Sequence, residues 1–231
     1  MVIPTYNERE NIELLVRALL AIPEVSVLVA DDQSPDGTGE LADSLAREFA
    51  GRIEVLHRTG PRGLGRAYVE AFGHVIAKGD AQVVCQMDAD FSHDPQYLPA
   101  LVAATATNDV VIGSRYLDGV SVVNWPLRRL ILSTFANSYV RTITGLRVRD
   151  VTGGFRAWRL EALARLPLER IVSEGYAFMV EMLWTASRAG LRIGEVPIIF
   201  VERRTGRSKL STGVIWESIF MPWRLVLRRR S

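Results

Sequence analysis

The sequence from Ala81 to Asp90, AQVVCQMDAD, decides how the rest of the chain is interpreted. Its first seven residues are mostly apolar, and the carboxylates Asp88 and Asp90 follow directly. A short apolar run is typical of a strand buried on both faces of a parallel sheet. Ligands of open α/β sheets bind beyond the carboxyl ends of the strands. The stretch therefore predicts a central strand whose functional end carries two acids.

The same arrangement occurs upstream, where the apolar run Val25–Ala30 ends in Asp31-Asp32. Strands and helices alternate through the first half of the chain. The predicted strands are Met1–Pro4, Val25–Ala30, Ile53–Leu56, Ala81–Met87 and Val110–Gly113. The predicted helices are Asn11–Leu20, Gly39–Phe49, Gly63–Ala77 and Pro95–Ala104. This alternation predicts an α/β fold with a doubly wound, Rossmann-like and mostly parallel sheet flanked by helices.

The pattern changes beyond Arg115. Apolar residues recur every three or four positions over Leu127–Ile143, which predicts an amphipathic helix bordered by Trp125 and Arg128-Arg129. The remaining predicted elements are an extended Val151–Trp158, a helix Val180–Arg188, a strand Ile193–Val201 and an amphipathic helix from Val214 towards Leu227. We expect one catalytic domain over residues 1–210 and a C-terminal amphipathic tail over residues 211–231.

Composition narrows the classes of function. The chain has 231 residues, 48% of them hydrophobic, and a net charge of only +2, so it is not a general polyanion binder. Its arginines lie apart from any aromatic stacking platform, which argues against nucleic acid as a partner. Cys85 is the only cysteine, so an intrachain disulfide is excluded and a reducing, cytoplasmic compartment is expected. No apolar run reaches the roughly 18 residues needed to span a bilayer, so any membrane anchor is expected to come from elsewhere.

The pair Asp88 and Asp90 is the strongest candidate for chemistry. Carboxylate oxygens at such a site suit Mg²⁺ or Mn²⁺, which prefer carboxylates together with substrate phosphates. Such an ion neutralises charge on a departing diphosphate. The two acids could instead cap the helix that starts near His93-Asp94-Pro95. The second acidic strand end, at Asp31-Asp32, favours the metal interpretation.

Residues beyond the first two strands predict the nucleotide side of the site. Asp32 could accept hydrogen bonds from ribose hydroxyls or base nitrogens. Tyr6 and Glu8 place a ring and a carboxylate where they could hold a base, although Glu8 could merely cap the following helix. The glycine-rich segment Gly60–Gly65 lacks both the dinucleotide fingerprint and the P-loop pattern, so a tight turn is its expected role.

The remaining polar candidates are basic. Arg203, Arg207 and Lys209 form a loop that suits phosphate oxygens, although a solvated loop would look the same. The three histidines show no metal-ligand spacing. His57 and His74 are interpreted as structural, and His93 as near the metal site without being a ligand.

Taken together, these motifs resemble a known family. The segments that carry the resemblance are Pro4–Ile12, Asp31–Thr38, Met87–Pro95, Gly113–Tyr116, Asp150–Arg156, Glu174–Met182 and Gly194–Leu210. They resemble dolichyl- or polyprenyl-phosphate mannosyltransferases, which are inverting family 2 glycosyltransferases with the GT-A fold. The resemblance covers nearly the whole chain, and it departs from the family at Gln33, where glycine is usual.

The resemblance implies roles for matching residues. Those expected to bind the GDP end of the donor are Pro4, Tyr6, Glu8, Ala30 and Asp32. Those expected at the sugar diphosphate are Asp88, Ala89 and Asp90, with Asp88, Asp90 and Ser92 at a Mg²⁺ or Mn²⁺ ion. Those expected to neutralise phosphates are Arg115, Arg203 and Lys209, with Arg129 near the lipid phosphate. Catalysis is expected to depend on Asp88, Asp90, Arg115 and Lys209.

The function that the resemblance implies is transfer of mannose from GDP-mannose to a polyprenyl phosphate, with inversion to a β-linked mannosyl phosphate. The enzyme would work peripherally on the cytoplasmic face of a membrane, and a membrane-anchoring partner subunit is left open. Two alternatives stay open as well. One is a polyprenyl-phosphate hexosyltransferase that uses a UDP-sugar such as UDP-glucose. The other is a non-catalytic nucleotide-binding module.

Overall fold

The computed structural model of the chain describes residues 1–201 and 220–227. Its main feature is a seven-stranded sheet with the order β3-β2-β1-β4-β7-β5-β8. The strands are β1 (Val2–Thr5), β2 (Val27–Asp31), β3 (Ile53–His57), β4 (Val83–Gln86), β5 (Val110–Ser114), β6 (Val122–Val123), β7 (Arg156–Arg159), β8 (Ile193–Pro197) and β9 (Phe200–Val201). All pairs in the main sheet are parallel except those that β7 makes with β4 and β5. The prediction of a mostly parallel α/β sheet is confirmed.

Helices cover both faces of this sheet. They are α1 (Arg9–Leu20), α2 (Thr38–Glu48), α3 (Leu64–Lys78), α4 (Leu98–Ala104), α5 (Leu127–Thr144), α6 (Leu160–Leu163) and α7 (Gly175–Arg188), with short 3₁₀ turns at Pro95–Tyr97 and Leu168–Arg170. Every helix predicted in the first half is present within a few residues of its predicted bounds. Asp94 accepts a hydrogen bond from the Gln96 amide at 2.9 Å and so caps the turn that leads into α4.

The apolar strands are explained by burial on both faces. Along β1, Val2 packs with α3 and α7 residues on one side, and Ile3 packs with α1 residues on the other. Val29 and Ala30 of β2 divide between the two cores in the same way. Successive side chains of a strand point to opposite faces, so continuous apolar runs are what a doubly covered sheet requires.

Three predictions for the second half need correction. The extended Val151–Trp158 is a strand only from Arg156, because Val151 and Thr152 form a turn in which the Val151 amide donates to the Asn137 side chain at 2.9 Å. The strand Ile193–Val201 is broken, because the Ile198 side chain is buried in the core and its amide donates to the Ser114 carbonyl at 3.0 Å; β9 then pairs with β6. The helix α7 begins at Gly175, five residues before the predicted start at Val180.

The earlier start of α7 has a packing reason. Ala177, Phe178 and Met179 are buried, and the Phe178 ring stacks on Tyr68 of α3 with centroids 5.5 Å apart. Burial in the core outweighs the weak helix signal of a segment that opens with glycine.

The C-terminal part is described only in residues 220–227, which are helical as predicted. Met221 and Leu225 are buried there, and the Trp223 indole donates to the Tyr139 hydroxyl at 2.9 Å. The domain boundary expected at residues 210–211, the basic loop Arg203–Lys209 and the start of the last helix lie outside the described residues. Within residues 1–201 and 220–227, no helix is long and apolar enough to cross a membrane.

Candidate active site

The carboxyl ends of β1, β2, β4 and β5 lie at one edge of the sheet and surround a cavity of about 610 Å³. The predicted site residues that line it are Pro4, Tyr6, Glu8, Asp32, Asp88, Ala89, Asp90, Ser92, Arg115 and Arg129. The other residues that line it are Thr5, Arg62, Gly63, Leu64, Ala67, His93, Thr152, Gly154, Gly175, Tyr176, Met179 and Phe200. The parallel sheet thus brings distant segments of the chain into one cavity, as its topology demands.

The segment after β4 turns sharply at the cavity. Phe91 has a left-handed backbone with φ of 58°, which lets the chain reverse between Asp90 and Ser92. Asp90 is buried, and its Oδ1 accepts hydrogen bonds from the Ser92 amide at 3.1 Å and the Ser92 hydroxyl at 2.6 Å. Ser92 therefore orients the Asp90 carboxylate, and its expected place at a metal ion stays a prediction.

The donor set decides whether a divalent ion fits here. Asp88 and Asp90 both line the cavity, and no group of three or more His, Cys, Asp or Glu side chains suited to a metal occurs in the part of the chain that the structure describes. Mg²⁺ is usually bound by one or two carboxylates with substrate phosphates completing the shell. The two carboxylates fit an ion that is shared with a substrate diphosphate.

His93 lies beside these acids without being a further ligand. Its Nδ1 accepts a hydrogen bond from the Asp88 amide at 3.2 Å, and its ring packs between Phe155 and Phe200 with centroids 5.3 and 5.4 Å away. Burial lowers the pKa of His93 to about 4. Because Nδ1 is the acceptor, the neutral imidazole carries its proton on Nε2 and presents a donor there.

Asp32, predicted to bind the nucleotide, is held by a buried arginine. Arg58 forms an ion pair with Asp32, and both side chains are less than 10% exposed. The other oxygen of Asp32 accepts from the Gly63 amide at 2.8 Å. Arg58 also contacts Glu70 at 2.9 Å and the Pro61 carbonyl at 3.2 Å. Asp32 thus fixes the loop that carries Gly63 at the cavity, a role that the sequence did not suggest.

The two acids at the end of β2 have separate roles. Asp31 accepts from the Thr5 hydroxyl at 3.0 Å and from the Ser34 hydroxyl at 2.6 Å, so it ties the first two strand ends together. Gln33 follows Asp32 in the left-handed conformation, with φ of 58°, and its side chain donates to the Gly60 carbonyl at 3.0 Å. The family that the sequence resembles usually has glycine at this position. Gln33 adopts the same kind of left-handed turn, although glycine adopts this conformation more easily.

The predicted base-binding residues flank the same part of the cavity. The Arg62 guanidinium lies over the Tyr6 ring, 5.0 Å from its centroid, and donates to the Tyr6 hydroxyl. Glu8 lies at the start of α1, where its carboxylate accepts from the Asn11 side chain at 3.0 Å. The Ala30 side chain is fully buried in the core and does not line the cavity, so its predicted contact with GDP could come only from its backbone.

The glycine-rich segment bends at Gly60 and leads into the N-terminus of α3. The Glu174 carboxylate accepts from the Gly65 amide at 2.8 Å and so places an internal anion at the N-terminus of α3. A Cβ at Gly65 would lie 2.3 Å from the Ser173 carbonyl oxygen. Glycine is required there by close approach of two backbones.

Arg115 directly follows β5, and its guanidinium is surrounded by an acid, a hydroxyl and three aromatic rings. Its Nε and Nη2 donate to the two oxygens of Asp150, each at 2.7 Å, and Nη2 also donates to the Thr152 hydroxyl at 2.8 Å. The guanidinium lies 5.4 to 5.6 Å from the rings of Tyr116, Trp125 and Phe200. Burial works against the charge of both partners, but their mutual attraction is stronger, and it raises the pKa of Arg115 and lowers that of Asp150.

The helix α5 joins the cavity to an exposed apolar surface. Arg129, in its first turn, lines the cavity and lies over the Trp125 ring, 4.2 Å from its centroid. The exposed apolar side chains of α5 are Leu127, Ile131, Leu132 and Phe135, each at least 60% accessible. An exposed apolar stripe beside a polar cavity indicates contact with an apolar ligand or surface.

Comparison with known proteins decides the family. Residues 1–166 match the family described as Glycosyl transferase family 2. The chain belongs to this family. It is a glycosyltransferase, and the cavity at the strand ends is its candidate active site.

Two curated relatives cover nearly the whole chain. The polyprenol monophosphomannose synthase of Mycolicibacterium smegmatis is 47% identical over 222 residues, which are 95% of this chain and 83% of that protein. The undecaprenyl-phosphate mannosyltransferase of Micrococcus luteus is 47% identical over 219 residues, which are 94% of this chain and 89% of that protein. The resemblance stated from the sequence is therefore confirmed.

Solved structures establish the fold. The glucosyl-3-phosphoglycerate synthase of Mycobacterium tuberculosis, in complex with Mn²⁺, UDP and glucosyl-3-phosphoglycerate, matches with a TM-score of 0.65 at 20% identity over 99% of this chain and 78% of that one. The same enzyme with UDP matches with a TM-score of 0.67 at 20% identity over 97% and 78% of the two chains. The glycosyltransferase has the GT-A fold that was predicted.

Proposed function

We propose that this glycosyltransferase transfers mannose from GDP-mannose to a polyprenyl phosphate and releases GDP. The two relatives at 47% identity are named for mannose transfer to lipid phosphates of this kind. In the reaction, a phosphate oxygen of the acceptor forms a bond to the anomeric carbon while the bond from that carbon to the GDP oxygen breaks. The GDP leaves with the electron pair, and the anomeric centre is inverted to the β configuration.

The observation that carries the proposal is the division of charge within one cavity. Asp88 and Asp90 follow β4, whereas Arg115 and Arg129 lie beyond β5 and on α5. The arginines complement the phosphate of an acceptor, because guanidinium groups match phosphate oxygens. The apolar side chains of α5 begin beside Arg129, so a lipid chain attached to that phosphate would meet an apolar surface.

The donor side is assigned to the opposite end of the cavity. Tyr6, Glu8 and Asp32 would hold the nucleotide, and the loop fixed by Arg58 would close over it. Asp88 and Asp90 would hold Mg²⁺ or Mn²⁺, with Ser92 orienting Asp90. When bound, the ion supplies charge neutralisation for the departing diphosphate. Arg203 and Lys209 remain predicted phosphate contacts from the sequence.

The acceptor class is supported by His93. Its Nδ1 receives the Asp88 amide, so the imidazole offers a donor at Nε2 and cannot take a proton from an acceptor there. A hydroxyl acceptor needs a general base, whereas a phosphate monoester is already anionic at neutral pH. A phosphate acceptor therefore needs no base from His93, and catalysis would depend on positioning and charge stabilisation.

The exposed apolar residues of α5, with Arg128 and Arg129 beside them, suit a membrane surface that carries the lipid substrate. We place the enzyme peripherally on the cytoplasmic face of the membrane, where a membrane-anchoring partner subunit would be compatible with this arrangement.

The acceptor assignment is tested with a matched pair of lipids. The purified enzyme is incubated with GDP-mannose, Mg²⁺ or Mn²⁺, and either a short polyprenyl phosphate or the corresponding polyprenol. We expect mannosylation of the phosphate and none of the alcohol. Transfer to the alcohol at a comparable rate would show that the site activates a hydroxyl, and the proposal would be wrong.

A further inference from the structure

The ion pair of Arg115 and Asp150 holds the guanidinium in one orientation. Asp150 is fully buried and accepts hydrogen bonds from both Nε and Nη2 of Arg115. Its Oδ2 also accepts a hydrogen bond from the Arg115 amide at 3.1 Å. No described residue accepts a hydrogen bond from Nη1, which leaves that edge of the guanidinium for a ligand in the cavity that Arg115 lines.

We propose that Asp150 is a positioning residue for the acceptor phosphate, acting through Arg115. The inference rests on the proposed function, because Arg115 is there assigned to the phosphate. A guanidinium on a four-bond side chain would otherwise sample several rotamers, each with a different edge towards the cavity. A bidentate carboxylate removes this freedom before the substrate binds.

Asp150 is itself fixed by its surroundings. The Glu195 carboxylate of β8 accepts both the Arg149 amide at 2.8 Å and the Asp150 amide at 3.0 Å. On the other side, Asn137 of α5 accepts the Val151 amide at 2.9 Å. β8 and α5 thus hold the backbone on either side of Asp150, and through Asp150 they set the orientation of Arg115.

A more exposed ion pair elsewhere in the chain offers a control with the same hydrogen-bond pattern; its Arg192 side chain is 58% exposed and its Asp109 side chain 18%. Asp109 accepts from the amide, Nε and Nη2 of Arg192 at 2.8, 3.1 and 3.0 Å, which is the same set of three donors. Neither Asp109 nor Arg192 lines the cavity. The control shows what the loss of an ion pair away from the cavity does to the kinetics, and an effect confined to the acceptor KM reports the position of Arg115.

The experiment compares Asp150→Asn with Asp109→Asn in full-length enzyme. The Michaelis constants for a short polyprenyl phosphate and for GDP-mannose are measured separately, and folding is followed by thermal denaturation. For Asp150→Asn we expect the acceptor KM to rise about tenfold to a hundredfold, with the donor KM within about twofold of wild type. Asp109→Asn should leave both constants unchanged.

A milder variant keeps the test valid if Asp150→Asn does not fold. Thr152→Val removes one acceptor of Nη2 without leaving a buried charge, and we expect a smaller rise, about threefold, in the acceptor KM alone. Equal changes in both KM values, or an acceptor KM that stays at the wild-type value in a folded variant, would overturn the inference. If wild-type enzyme transfers nothing to polyprenyl phosphate, the proposed function itself fails, and the inference fails with it.

Discussion

The ion pair between Arg58 and Asp32 gives the sharpest test of how the nucleotide side of the cavity is built. The Arg58 side chain is 2% exposed and that of Asp32 is 8% exposed. Replacing Arg58 with Met keeps much of the volume but leaves a buried carboxylate with only the Gly63 amide as a partner. Removal of one partner of a buried pair typically costs about 3–5 kcal/mol, because the other charge is left uncompensated.

The loss in the free energy of unfolding caused by Arg58→Met can be measured by urea denaturation, with tryptophan fluorescence as the signal. With a urea dependence of about 2 kcal/mol per M, a loss of about 4 kcal/mol lowers the unfolding midpoint by about 2 M. Glu70→Gln is the matched control, since Glu70 also contacts Arg58 but is 45% exposed. An exposed pair contributes at most about 1 kcal/mol, so this variant should shift the midpoint by less than about 0.5 M.

A double variant separates stability from function. Adding Asp32→Asn to Arg58→Met removes the uncompensated charge and should recover part of the lost stability. GDP binding, measured by calorimetry, should be weaker than in wild type for both the single and the double variant. A midpoint for Arg58→Met within about 0.5 M of wild type, at an unchanged urea dependence, would refute the claim that this pair supports the loop at Gly63.

Two further predictions concern the acids of the chain. Asp90→Asn should lower mannosyl transfer by at least about a hundredfold while leaving the unfolding midpoint near that of wild type, and transfer at the wild-type rate would remove Asp90 from the site. Hydrogen bonds from Arg192 hold the pKa of Asp109 at about 2, below the ordinary value of 3.8. The pair therefore stabilises the fold above about pH 4, and the difference in stability between wild type and Asp109→Asn, on the order of 1 kcal/mol, should shrink steadily as the pH falls from 4 towards 2. Chemical denaturation at several pH values would measure it, and a difference that persists unchanged at pH 2 would contradict the assignment.

Much of the fold could be predicted because its parallel strands are buried on both faces. Such strands appear in sequence as short apolar runs, and Val25–Ala30 and Ala81–Met87 are clear examples. The same logic placed Asp32, Asp88 and Asp90 at strand ends that the structure brings to one cavity. Periodicity likewise predicted α5, since its spacing is helical even though four of its large apolar side chains are exposed.

The second half was harder because its structure depends on distant contacts. The antiparallel strand β7 lies between β4 and β5, and its Trp158 indole donates to the Gln86 side chain at 2.9 Å. No local sequence pattern predicts that a later strand is inserted between two earlier ones. The break after β8 likewise depends on the packing of Ile198 into the core. The sequence does not show this break, because the apolar residues continue through it.

Predictions for the site depended on which partners each side chain finds. Arg58 and Asp150 were not assigned roles, because a single arginine or aspartate carries no signal until its partner is known. The position of Arg58 directly after β3 was the only local hint, since the ends of neighbouring parallel strands meet. Ser92 was expected at a metal ion, which stays a prediction. Its hydrogen bond to the Asp90 carboxylate could not be predicted, because it depends on the turn at Phe91.

The central claim, mannose transfer to a lipid phosphate, is tested most directly by the choice of donor. Purified enzyme is given a short polyprenyl phosphate with Mg²⁺ or Mn²⁺, together with equal amounts of GDP-mannose and UDP-glucose, and the lipid products and released nucleotides are identified by mass spectrometry. We predict one GDP released for each mannosyl phosphate formed, with no UDP released. Release of UDP with a glucosylated lipid, or no glycosylated lipid at all, would contradict the account.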